Sequence, residues 1–117
     1  MASDKVMREF LQNQCEQAER RMRDLGIPQA TFHLIQCPKD PDSMHLQFRN
    51  NGQLVGEIHI WSPGTTVTES RYEMLFMDIC HGIYLAEMTG AHVYAVPEST
   101  TQDLGLGNMP YHQGMYN

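Results

Sequence analysis

The 117-residue chain predicts an α+β fold, a two-layer α/β sandwich in the order α-β-β-β-α-β. Three observations predict it. An amphipathic helical pattern opens the chain, three short strand-like runs follow, and a second, more apolar helical pattern precedes a last short strand. Four mainly antiparallel strands are expected to form the sheet, with both helices covering one of its faces.

The first helix is expected at residues 4–25. Met7, Leu11, Cys15, Ala18, Met22 and Leu25 recur at spacings of three and four, with Val6 and Phe10 beside them, which marks one apolar stripe. Ser3 suits an N-cap with Asp4 in the first turn, and Gly26 followed by Pro28 closes the helix.

The strand runs are ATFHLIQC (30–37), MHLQFR (44–49) and LVGEIHIW (54–61), with PKDPDS separating the first two. The first is β-branched and aromatic, and the second alternates. A two-residue Asn51-Gly52 turn would set Phe48 opposite Val55 and mix the two faces. A three-residue loop, Asn50-Asn51-Gly52, puts Gly52 at a left-handed bulge position and sets Phe48 against Leu54, Leu46 against Gly56 and Met44 against Ile58. That register also sets His45 opposite Glu57, and it is the one expected.

After Ser62-Pro63-Gly64, Thr66 with Glu69, or Ser70 with Glu73, offers a capping box for the second helix. Tyr72, Leu75, Phe76, Ile79, Ile83 and Ala86 form its inward stripe. Met74, Met77, Leu85 and Met88 lie off that stripe, and the three methionines among them suggest a second contact surface. Thr89-Gly90 ends the helix, and AHVYAV (91–96) reads as the fourth strand. Residues 1–96 are thus expected to make a single domain, of ordinary size for one core. Residues 97–117 make a tail, flexible unless docked on a partner.

Charge and cysteine usage exclude several classes. The formal charge of −6 falls unevenly: residues 1–49 hold seven acids and seven bases, residues 50–117 seven acids and only Arg71. Counterion release on nucleic acid needs clustered Lys and Arg, so nucleic acid is not an expected partner. No apolar run approaches the ~20 residues of a membrane span. The opening MASDKVMREF does not read as a secretory leader. Cys15, Cys37 and Cys80 form no CxxC pair and are odd in number, the pattern of reduced thiols in a cytoplasmic protein.

Catalytic signatures are sparse. Cys80 and His81 are adjacent on a helix and point apart, so they make no nucleophilic dyad. His33 and Cys37 lie on one side of a strand but about 13 Å apart by strand rise. Gly105-Leu106-Gly107 has no strand leading into it and no helix after it, as a phosphate loop requires.

What remains is the sheet face away from the helices. Alternation assigns it His33, His45, Glu57, His59 and Trp61, and the last strand adds either His92 and Tyr94 or Val93 alone; Tyr94 is taken with the candidate surface. Trp, Tyr and His on a surface poor in Lys fit the centre of a protein interface. The function expected is a non-enzymatic protein-binding module of inhibitor or accessory type, homodimeric, occluding a partner surface and needing no cofactor. The alternative is a small-molecule binder or metal-dependent enzyme, because imidazoles with a carboxylate match zinc ligation. Histidines on separate strands carry no local ligand motif, so the sequence leaves the metal question open.

Overall fold

The structure, a computed structural model, describes residues 4–90. These form helix α1 (Asp4–Asp24), strands β1 (Ala30–Gln36), β2 (Met44–Asn50) and β3 (Gln53–Trp61), and helix α2 (Glu69–Thr89). The sheet is three-stranded and antiparallel, in the order β1-β2-β3. The α+β class holds. The expected fourth strand at 91–96, with Tyr94, and the tail at 97–117 lie outside the described residues.

One face of α1 is buried, through Met7, Leu11, Cys15, Ala18 and Met22. Its last turn corrects the sequence reading. Gly26 takes a left-handed φ of 84°, its N–H donates to Arg23 O, and that of Ile27 donates to Met22 O at 2.8 Å. This paired closure satisfies the last carbonyls and folds Ile27 back onto Met22. Ile27 is therefore the buried residue, and Leu25 is exposed.

The buried residues of α1, those of α2 and one face of the sheet (Phe32, Met44, Leu46, Phe48, Ile58 and Ile60 among them) belong to a single apolar cluster. Phe76 of α2 lies 6.2 Å from Phe32 of β1, ring to ring. Glu19 of α1 accepts a 2.9 Å hydrogen bond from the Phe32 N–H, which occupies a donor on an edge strand. Both helices thus pack on the same side. α2 begins at Thr68, whose side chain accepts from the Arg71 N–H, and ends at Gly90 with a left-handed φ of 73°. Neither capping box expected from sequence supplies the cap. No helix among the described residues is long and apolar enough to cross a membrane.

The β2–β3 register differs from the expected one. The turn is the two-residue Asn51-Gly52, with Asn50 opposite Gln53 and both turn residues at positive φ, 58° and 80°. Such turns match the natural twist of a hairpin. The mixing of faces that argued against this turn is avoided by a bulge. Arg49 pairs with Leu54 and Phe48 with Gly56, so Val55 is an extra residue. Beyond it the alternation is restored, with Leu46 against Ile58, but Leu54 is left on the outer side, 49 % exposed.

A second bulge follows. His45 pairs with His59 and Met44 with Trp61, leaving Ile60 as the extra residue. Its carbonyl accepts a 2.8 Å hydrogen bond from the Tyr72 hydroxyl of α2. This bulge overturns the placement of Trp61. Expected on the open face, it turns into the core and is 5 % exposed.

Candidate metal centre

The open face is built from the residues that alternate with the core. Its rungs follow from the pairing: His33 with Gln47 and Glu57, then Ile35 with His45 and His59. Cys37 lies two residues beyond Ile35, hence on the same side. Its N–H donates to Ser43 O at 2.9 Å, which carries the β1–β2 ladder one step further.

The connecting loop is tied down by its own side chains. The Ser43 N–H donates to Asp40 O at 2.9 Å. The Asp42 N–H donates to Asp40 Oδ1 at 3.1 Å, and the Ser43 hydroxyl to Asp40 Oδ2 at 2.7 Å. Asn and Asp favour such turns because the side chain substitutes for backbone acceptors.

Two hydrogen-bond chains end on the histidines. In the first, Glu57 accepts from Gln47 Nε2 at 2.6 Å and from His45 Nδ1 at 2.7 Å. A carboxylate only accepts, so the proton sits on His45 Nδ1, and Nε2 keeps its lone pair in the neutral ring. In the second, Asp40 accepts from Ser43, whose oxygen lies 3.0 Å from that of Ser62. The Ser43 proton is committed to Asp40, so Ser62 donates to Ser43. Ser62 in turn accepts from His59 Nε2, which leaves Nδ1 of His59 with the lone pair. This polarity also removes His59 as a base toward Ser62, since the proton already lies between them.

Burial and neighbouring groups act on two members of these chains. Partial burial pushes the Glu57 carboxyl up, but the hydrogen bonds from His45 and Gln47, with the nearby charges of His45 and Arg49, outweigh it and hold it below the usual glutamate value. His59 is lowered by desolvation first and by neighbouring His45 second, with Asp40 opposing. The shift favours the neutral ring, the form that binds metals. The two rings meet edge to face, 5.3 Å between centroids.

One ligand atom from each of Cys37, His45 and His59 lies within 4.8 Å of the other two. Donors on a tetrahedral zinc, bonded at about 2.0–2.3 Å, stand roughly 3.3–3.8 Å apart. Closing the triad around an ion needs no more than about 1.5 Å of movement at any pair.

Of the residues singled out from sequence, the structure gathers His45, Glu57 and His59. His45 and Glu57 are bonded as expected, but diagonally, since Gln47 is the residue opposite Glu57. His33 shares the face, exposed, and its Nε2 bonds Thr31 Oγ1 of its own strand at 3.1 Å. It is not in the triad. Trp61 is in the core, and Tyr94 lies outside the described residues.

Sequence reasoning missed Cys37, Ser43, Ser62 and Asp40. The signal for Cys37 was present in the alternation: it measures far from His33 along its own strand, yet that alternation sets it beside the strand carrying His45. The other two cysteines are core residues. Burial pushes the Cys15 thiol up to about 12, helped by Glu19 and Glu16, and raises Cys80 as well.

No protein-family model, curated protein or solved structure matches this chain.

Proposed function

We propose that the chain binds a transition-metal ion of the zinc class through Cys37, His45 and His59. One observation carries the reading: each imidazole has one nitrogen held by a chain that ends on a carboxylate, which leaves its other nitrogen free to ligate, and a ligand atom of Cys37 lies within 4.8 Å of a ring nitrogen of each. Carboxylate–histidine–metal arrangements of this kind orient the ring and raise its basicity. Thiolate with imidazole suits a borderline-soft ion and not magnesium or calcium, which take oxygen donors. Three protein donors leave one tetrahedral position for water or an external ligand, as in catalytic zinc sites.

The three cysteines are unpaired, which supports a reducing compartment such as the cytoplasm. A protein-binding role is the second reading: the sequence placed it on the open sheet face around Trp61, which is buried, and we propose the outer side of α2 for it instead.

Metal content and affinity test the proposal. Zinc is expected to bind one ion per chain, and cobalt to show a thiolate-to-metal absorbance that Cys37→Ser abolishes. Zinc binding that is unchanged in Cys37→Ser and in His59→Ala refutes it.

A further inference from the structure

Helix α2 carries two apolar faces. Opposite its buried side, Met74, Met77, Leu85 and Met88 stand 53, 53, 47 and 66 % exposed, with His81 exposed between them. At 3.6 residues per turn, positions 74, 81 and 88 fall on one line opposite the middle of the core face, and 77 and 85 flank it. Single exposed apolar residues are ordinary, but a continuous stripe about 21 Å long marks a contact surface.

The spacing identifies the occupant. Met74 and Met88 each lie seven residues from His81, and Met77 and Leu85 each lie four. The stripe therefore reads the same in both directions. A second helix crossing antiparallel at His81 sets Met74 against the partner's Met88, Met77 against the partner's Leu85, and His81 against its own symmetry mate. Residue i meeting j while j meets i is the requirement of a two-fold interface. We infer that this face is the interface of an antiparallel homodimer, with His81 on the two-fold axis.

The area agrees with that assignment. The four side chains together leave more than two whole apolar side chains in water per copy, and with their flanks a pair buries on the order of 1,000 Å², the floor for a specific interface. The dimer is accordingly a weak one. Glu73 and Asp78 lie on its rims, whereas Glu87 turns to the sheet and accepts from Asn50. Each copy carries a formal charge of −6, so screening by salt strengthens association. The sheet face with the candidate metal triad lies on the other side of the sheet from the helices and takes no part in this interface.

Sedimentation of the full chain across the micromolar range is the test. A monomer–dimer equilibrium that tightens with salt is expected. Met77→Lys and Leu85→Glu are each expected to sediment as monomers, with helical circular dichroism and melting unchanged. Their equimolar mixture is expected to recover the dimer, because the heterodimer opposes the two substituted positions as an ion pair and keeps one native Met77–Leu85 contact. A wild-type chain that stays monomeric overturns the inference and leaves the face to residues 91–117 or to another protein. A dimer that survives both single substitutions, or a mixture that fails to recover it, overturns it equally.

Discussion

Replacing Glu57 with Gln removes one of the two acceptor oxygens that hold His45 and Gln47. The carboxylate takes both hydrogen bonds, at 2.7 and 2.6 Å. An amide offers one oxygen and one NH₂, so either Gln47 or His45 faces a donor. If the His45 ring answers by moving its proton to Nε2, the lone pair meant for the metal is lost. A charge-assisted hydrogen bond of this kind contributes about 1.5–3 kcal/mol. Losing the outer partner of a ligating histidine typically weakens metal affinity by about 10- to 100-fold. Glu57 and His45 keep 30 % and 19 % of their side-chain exposure. Water therefore replaces part of the bond, and the lower half of the range, roughly 10- to 30-fold, is expected.

The assay is competition for zinc against a chromophoric chelator of known affinity, with cobalt spectra as a check on coordination. Melting of the metal-free Glu57→Gln protein is the control. A loss near 1 kcal/mol would lower the melting temperature by about 4–8 °C in a domain of this size. Zinc affinity within twofold of wild type, in a variant that remains folded, refutes the role given to Glu57.

Other perturbations address the fold and the same network. Metal-free stability is expected to fall on acidification, because the unfolded chain takes up protons first at the depressed groups His59, Glu57 and Asp40. The His59 contribution is complete above the unfolded value of 6.5 and is lost as pH falls from there toward its folded value. That of Glu57 is complete above 4.5 and is lost as pH falls through its folded value. A melting temperature that rises from pH 7 to pH 5 contradicts the His59 assignment, and one that rises from pH 4.5 to pH 3 contradicts that of Glu57. Tyr72→Phe leaves the Ile60 carbonyl without its buried donor and is expected to cost about 1–3 kcal/mol in urea unfolding; a neutral result removes the hydroxyl as a support of the bulge. Gly52→Ala places a Cβ at φ 80° and is expected to cost about 1 kcal/mol. Leu46→Ala, fully buried at the centre of the sheet, is expected to cost about 2–5 kcal/mol.

The helices were legible because their period is strong. In α1 the stripe from Met7 to Met22 is the buried face, and only its end misleads. Leu25 fits the period, but the left-handed turn at Gly26 redirects the chain so that Ile27 takes the inner position. The strands were legible as runs and not as a register. A period of two places every residue on a face only while the ladder is unbroken, and β3 breaks it at Val55 and at Ile60. Leu54 and Trp61, the two ends of the strand, were both assigned to the wrong side for that reason. His45, Glu57 and His59 lie between the bulges and were assigned correctly. Cys37 was weighed only against His33 on its own strand, where distance ruled it out, whereas the histidines it lies near are across the sheet.

The bulge at Ile60 decides more than the burial of Trp61. Without the extra residue, the ladder running on from His45–His59 would set Met44 against Ile60 and Ser43 against Trp61. With it, Met44 meets Trp61, and the next step brings Ser62 beside Ser43, 3.0 Å between their oxygens. Only then does a chain of hydroxyls run from the Asp40 carboxylate to the His59 ring and fix which nitrogen keeps its lone pair. The same shift moves a large indole off the face where Cys37, His45 and His59 come together. The inserted residue is not free to slip, because the Tyr72 hydroxyl, buried between α2 and the sheet, holds its carbonyl. A packing contact on the core side of the layer thereby sets the chemistry available on the other.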